Sequence, residues 1–94
     1  MVLLVWQALS RPSADWSVSV RLAQAGQEIA QVDRQHPVAG AYPTGRWSPA
    51  EVVADAYPFT LPAGATPDEL VVILYRRTAD GGFLNLDTAR FKLP

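Results

Sequence analysis

The sequence predicts an all-β domain, a single antiparallel β-sandwich of about six or seven strands, immunoglobulin-like in size and covering residues 1–94. Two observations support this prediction. Segments of strand length either alternate apolar and polar residues or are continuously apolar, and turn residues separate them at short intervals. A long crossover rich in proline and glycine, residues 34–49, divides the chain into two halves. We therefore expect two packed sheets with Trp47 anchoring the crossover between them.

The first half of the chain predicts three strands. Residues 2–9 are apolar on both alternations except for Gln7, which is typical of a central strand covered on both faces. After a turn at 10–15, the next strand separates large apolar from polar side chains: Trp16, Val18, Val20 and Leu22 against Ser17, Ser19 and Arg21. A compact turn at 25–27 leads to a return strand at 28–33. A helix over 16–33 is the alternative, which Gly26 interrupts.

The second half begins with a strand whose alternating apolar residues run from Val53 to Leu61. Pro58 cannot donate to a ladder, so this strand is expected at a sheet edge or with a bulge. Residues 70–77 are apolar until their last two positions and predict a second central strand. Asp80-Gly81-Gly82 then predicts a hairpin into two short strands, 83–87 and 89–93.

Composition argues against several classes of function. Eight basic and nine acidic residues give a net charge of −1, and the densest basic feature is the pair Arg76-Arg77, so we expect no nucleic-acid partner. The chain has no cysteine, which removes disulfides, thiolate metal ligands and cysteine nucleophiles. The only histidine, His36, accompanies no G-x-S-x-G nucleophile motif. We therefore expect no enzymatic activity and no cofactor.

The acidic residues also predict no metal site. Asp33, Asp55, Asp80 and Asp87 lie on separate segments, and no D-x-D-x-D-G calcium loop is present. Carboxylates near turns commonly accept hydrogen bonds from backbone N–H groups. We therefore expect Asp33 and Asp55 to bind backbone N–H groups of the crossover.

The order of several motifs resembles a β-sandwich module found in bacterial multi-spanning membrane proteins of the glycosyltransferase type, where the module follows the transmembrane part. The similarity covers residues 3 to about 75. It depends on the spacing of Trp6-Gln7-Ala8, Asp33, Tyr42-Pro43-Thr44, Trp47, Asp55 and Tyr57. The resemblance implies an accessory, non-catalytic domain of a larger bacterial membrane or envelope protein, on the extracytoplasmic side, next to a transmembrane region of the parent chain.

The first strand begins almost at Met1, and members of the resembled family carry a further strand before the Trp-Gln-Ala strand. We therefore interpret residues 1–94 as a fragment of a longer chain that lacks its first strand. An unpaired sheet edge recruits other chains. The sequence consequently predicts self-association through the open edge, or an architectural domain that binds a partner through its strand edges.

A carbohydrate-binding module is the other functional hypothesis. Tyr42 and Trp47 could stack against pyranose rings, with Arg46 and His36 as polar neighbours in a loop on a rigid scaffold. The alternative is that Trp47 closes one end of the core. Exposed, coplanar rings would favour glycan binding, whereas buried rings beside a bare strand edge would favour docking.

Overall fold

The computed structural model describes residues 1–94 and contains six antiparallel strands in two sheets, which confirms the all-β prediction. The strands are β1 (Val2–Gln7), β2 (Ser17–Gln24), β3 (Gln27–Arg34), β4 (Val52–Tyr57), β5 (Glu69–Arg77) and β6 (Phe83–Lys92). One 3-10 turn, Thr44–Arg46, lies in the crossover. The helical alternative for residues 16–33 is wrong, because β2 and β3 occupy that stretch.

The larger sheet has four strands in the order β3-β2-β5-β6. Its centre is β2, whose Val20 lies opposite Val32 on one side and Val72 on the other. A two-residue turn joins β2 to β3, with positive φ at Ala25 (52°) and Gly26 (80°), as a type I′ hairpin requires. Both the compact turn and the central position of β5 were predicted, and both are confirmed.

The last strand differs from the prediction. β6 is one continuous strand of ten residues, not two short ones, and a register shift in its pairing with β5 falls between Leu74 and Tyr75. The predicted hairpin before it is confirmed: the Thr78 N–H donates to the Gly82 carbonyl (2.9 Å), and Gly81 has a φ of 86°. A bulge bends a strand without ending it, so a local break in alternation was misread as a strand boundary.

The smaller sheet contains only β1 and β4, with Leu4 opposite Asp55. The prediction that β1 is a central strand is wrong. Leu3 and Val5 are 62% and 66% exposed, because nothing covers the outer face of this sheet and β1 pairs on one side only. β4 ends at Tyr57, just before Pro58, and is an edge strand as Pro58 predicted.

The core lies between the two sheets. Its fully packed members are six side chains from β2, β4 and β5: Val18, Val20, Leu22, Tyr57, Leu70 and Val72. The apolar side chains of β1 that point inward, Val2, Leu4 and Trp6, pack against this cluster. The molecule is therefore a sandwich of two unequal layers, two strands over four. The structure contains no helix with the length and hydrophobicity needed to cross a membrane.

Candidate functional site

The crossover after β3 begins with a left-handed turn. Val38, Ala39 and Gly40 have successive φ values of 56°, 53° and 88°. The turn is closed by hydrogen bonds from Gly40 N–H to the His36 carbonyl and from Tyr42 N–H to the Pro37 carbonyl, both 3.1 Å. A β-branched residue rarely adopts positive φ, so Val38 must be held there by its surroundings.

Asp55 is the group that holds it. The alternation of β4 directs this carboxylate into the sandwich, where it is 0% exposed. It accepts hydrogen bonds from the Val38 N–H (2.7 Å), the Tyr57 hydroxyl (2.6 Å) and the Trp6 indole N–H (3.1 Å). The predicted bond from Asp55 to the crossover backbone is confirmed. The corresponding prediction for Asp33 is wrong, since its carboxylate accepts from the Gln31 side chain instead (2.7 Å).

Tyr57 is the side chain through which this cluster joins the core. It is fully buried, and the Arg34 guanidinium carbon lies 5.0 Å from its ring centroid. Burial, followed by the hydrogen bond to Asp55, raises the pKa of the Tyr57 hydroxyl far above its ordinary value. The phenol therefore stays protonated and keeps donating to Asp55 throughout the physiological pH range.

Trp47 closes the same end of the sandwich. It is 4% exposed, with its ring centroid 6.2 Å from that of Trp6 and 6.2 Å from that of Tyr42. Its indole N–H donates to the Tyr42 carbonyl (3.1 Å), so the one polar atom of the side chain is satisfied inside the loop. The prediction that Trp47 anchors the crossover is confirmed.

Tyr42 lies on the outer side of Trp47, and its hydroxyl is occupied. It donates to the Glu51 carboxylate (2.8 Å), which also accepts from the Ser48 N–H (2.9 Å). The Ser48 hydrogen bond, then the Tyr42 hydrogen bond, lowers the pKa of Glu51, and the bonded carboxylate raises the pKa of Tyr42. The planes of the Tyr42 and Trp47 rings are tilted by 43°.

The four residues proposed for glycan binding do not form one surface. The Arg46 carbonyl lies 3.4 Å from the Tyr42 hydroxyl, so Tyr42, Arg46 and Trp47 are neighbours. His36 instead lines a groove at the end of the larger sheet, which none of the other three reaches. Because Trp47 is buried and the rings are not coplanar, the crossover has the geometry of a structural closure. Glycan binding at these residues stays a prediction.

A second feature of the molecule is the uncovered inner face of β6. Leu84 and Phe91 are 44% and 51% exposed, although the pairing register places both on the same face as the core residues of β5. Leu86, 55% exposed, falls at the register shift and has no partner in β5. The outer face of the smaller sheet is also apolar and open, with Leu3, Val5 and Val52 each more than three-fifths exposed. This exposure could not be predicted from the sequence, because alternation identifies the two faces of a strand and does not show which face another layer covers.

The free edge of β1 points toward this uncovered face. Tyr57 of β4 packs under Arg34 of β3, and Asp55 of β4 binds Val38 just after β3, so β4 lies over the β3 side of the larger sheet. β1 is next to β4 and packs against the core. Its second edge, which has no partner strand, therefore faces the β6 side.

The chain brings no metal-binding cluster together, since no three of its histidine, aspartate and glutamate side chains are grouped closely enough to hold an ion. Comparison with protein-family models gave no match, and neither did comparison with curated proteins or with solved structures. What the molecule does must therefore be inferred from the surfaces described above: the closed crossover, the open edge of β1, and the uncovered face of β6.

Proposed function

We propose that this chain is a non-catalytic accessory domain of a larger bacterial membrane or envelope protein, and that it docks through the free edge of β1. A strand supplied by the larger protein pairs with β1 and covers the inner face of β6. The domain then has a complete sandwich of the immunoglobulin-like kind, and it stands beside the transmembrane part of its parent on the extracytoplasmic side.

The observation that carries this proposal is the mismatch between the two layers. A two-stranded sheet faces a four-stranded one, leaving an unpaired edge above two half-exposed apolar side chains of β6, Leu84 and Phe91. An extended segment added at that edge satisfies the backbone groups of β1 and buries both side chains at once. Each of these side chains, about half buried already, contributes roughly 1 kcal/mol when the rest of its apolar surface is removed from water.

The strand order supports the same location. In immunoglobulin-type sandwiches, strand B pairs with A and E in one sheet, while C′, C, F and G follow one another in the other. The two sheets here, β1-β4 and β3-β2-β5-β6, follow the orders B-E and C′-C-F-G. The place of strand A, the second neighbour of B, corresponds to the free edge of β1.

The crossover supports a structural role over catalysis. Asp55, Glu51 and Tyr42 form hydrogen bonds that fix the crossover: Asp55 accepts from the Val38 N–H, and Glu51 accepts from the Ser48 N–H and the Tyr42 hydroxyl. The crossover consequently serves as the rigid end of the sandwich.

The test compares residues 1–94 with the same chain preceded by the residues that its gene encodes upstream. We expect amide exchange in β1 to slow in the extended protein and Phe91 to become less accessible to solvent. An upstream segment of equal length made of glycine and serine is the matched control and should leave both unchanged. Identical protection of β1 in the native extension and in the control would contradict the proposal.

In the absence of a covering strand, the free β1 edges of two copies are expected to pair with each other. Sedimentation of residues 1–94 over a concentration series should then show a monomer–dimer equilibrium. Val5→Lys, which places a charge on β1, should shift that equilibrium to monomer, whereas Thr60→Lys in an exposed loop should not. A wild-type chain that stays monomeric at every concentration contradicts this expectation.

A further inference from the structure

The outer face of the larger sheet carries a groove that the docking proposal does not use. It runs along the small side chains of β2, Ser17 and Ser19, between Asp33 on β3 and Tyr75 on β5. Two adjoining parts, of about 850 and 340 Å³, share Asp33, Tyr75 and Phe83. Volumes of this size match those of small-ligand sites.

Aromatic side chains form one wall of the groove. Phe83 is 63% exposed, and its ring meets that of Tyr75 edge-on at 5.8 Å. The Arg77 guanidinium carbon lies over the Phe83 ring, 5.7 Å from its centroid, so a cation occupies part of one face of the exposed ring. An exposed phenylalanine held between an arginine and a tyrosine presents an ordered apolar surface with hydrogen-bond donors next to it.

The arginines Arg76 and Arg77 of the groove form no ion pair, whereas Asp15 accepts a hydrogen bond from the Gly45 N–H and Ser17 donates one to the Gln35 carbonyl. The ion pairs of the molecule are Arg21–Glu28 and Arg90–Glu69. The Nδ1 atom of His36, which lines the wider part, is buried without a hydrogen-bond partner. This atom has no surface open to the groove, so a ligand bound there does not contact it.

The charges of the groove select the kind of ligand. Arg76 and Arg77 are balanced by Asp15 and Asp33, which line the same groove without pairing to them. A strongly anionic ligand would meet the two carboxylates, and a cationic one the two guanidinium groups. A neutral polyol suits both, because each hydroxyl can accept from an arginine and donate to a carboxylate.

We propose that this groove binds a neutral oligosaccharide, with the apolar face of a pyranose ring stacked on Phe83 and its hydroxyls bridging Arg77 and Asp33. The site is independent of the docking edge, since Phe83 lies on the outer face of β6. The apolar side chains that a docked strand would cover lie on the inner face. It also differs from the crossover set Tyr42, Arg46 and Trp47, none of which lines the groove.

The experiment is an NMR titration of the chain with neutral hexasaccharides of glucose, N-acetylglucosamine and mannose at millimolar concentration. We expect saturable amide shifts for at least one of them, confined to residues around Ser19, Asp33, Tyr75 and Asn85. Phe83→Ala should weaken binding about tenfold or more, and Phe83→Trp should restore it, because the stacking surface is then removed and replaced.

Phe91→Ala is the matched control, since Phe91 is half exposed on the opposite face of the same strand and its loss should leave glycan affinity unchanged. Absence of shifts with all three neutral hexasaccharides overturns the proposal. So does binding that Phe83→Ala leaves intact, or a response only to hexagalacturonate or to a charged peptide. None of these results alters β1 exchange, so failure here is distinguishable from failure of the docking proposal.

Discussion

β4 and β6 are both edge strands with apolar side chains at alternating positions, but only β4 buries them. The inward residues of β4, Val53, Asp55 and Tyr57, are at most 5% exposed, whereas Leu84 and Phe91 of β6 are 44% and 51% exposed. Each of the two strands is hydrogen-bonded to one apolar neighbouring strand, so strand pairing does not explain the difference in side-chain exposure. The difference lies in the opposite layer, which reaches β4 and does not reach β6.

The largest loss of stability is expected when Trp47, which closes the covered end of the sandwich, is removed. Trp47→Ala deletes a ring packed between Trp6 and Tyr42 and should lower the free energy of unfolding by about 3–5 kcal/mol. Phe91→Ala, which removes a half-exposed ring on β6, should cost roughly 1 kcal/mol. Urea unfolding followed by circular dichroism measures both, and equal losses would erase the contrast.

Asp55→Ala is expected to have the next largest effect. It leaves one buried donor, on Tyr57, and two partly buried donors, on Trp6 and Val38, without an acceptor, and at about 1 kcal/mol each the loss should be about 3 kcal/mol. Asp87→Ala on the exposed β6 is the matched control and should change stability by no more than about 0.5 kcal/mol. Chemical denaturation of the two variants side by side decides this, and a tolerated Asp55→Ala would show that the hydrogen-bond cluster is dispensable.

The same substitution at covered and uncovered positions sharpens the comparison further. Leu22→Ala, in the core at 5% exposure, should cost about 2–5 kcal/mol. Leu84→Ala, at 44% exposure, should cost less than about 1 kcal/mol. In a protein extended by its native upstream residues the cost of Leu84→Ala should rise, and an unchanged cost would show that no strand covers β6.

The smallest effect is a pH dependence that belongs to the crossover. Hydrogen bonds from Ser48 and Tyr42 hold the pKa of Glu51 below its ordinary value. A carboxylate with a depressed folded pKa stabilises the fold above its unfolded pKa, and this contribution is lost as the pH falls through the folded pKa. Glu51→Gln should therefore flatten the acid limb of the stability profile below about pH 4, and Tyr42→Phe should flatten it partly. An acid limb identical to wild type in Glu51→Gln would contradict the assignment.

Much of the fold could be predicted because its strands and turns depend on residues that are close together in the sequence. The alternation around Val18 and Val20 gave β2, and the turn residues at Ala25-Gly26 and Gly81 gave two hairpins. β1 was misplaced, because a strand that is apolar on both faces looks the same whether a layer covers it or solvent does. Only the number of strands in each sheet distinguishes the two cases.

The candidate sites could be predicted less well, since they depend on residues distant in sequence. That Asp55 binds a backbone N–H of the crossover followed from chemistry, but its bonds to Trp6 and Tyr57 require the β1–β4 register. His36 was grouped with Tyr42 because both lie in one loop, while the left-handed turn between them separates the two side chains. The groove over Ser17 and Ser19 appeared in the sequence only as a polar strand face.

The uncovered inner face of β6 is tested most directly by measuring side-chain accessibility in residues 1–94 with a soluble paramagnetic cosolute. At dilutions where the chain is monomeric, we predict strong attenuation of the Leu84 and Phe91 side-chain signals and little at Val53 and Tyr57. Equal protection of the β6 and β4 side chains would contradict the account. The inner face of β6 would then already be covered, and no further strand would be needed beside β1.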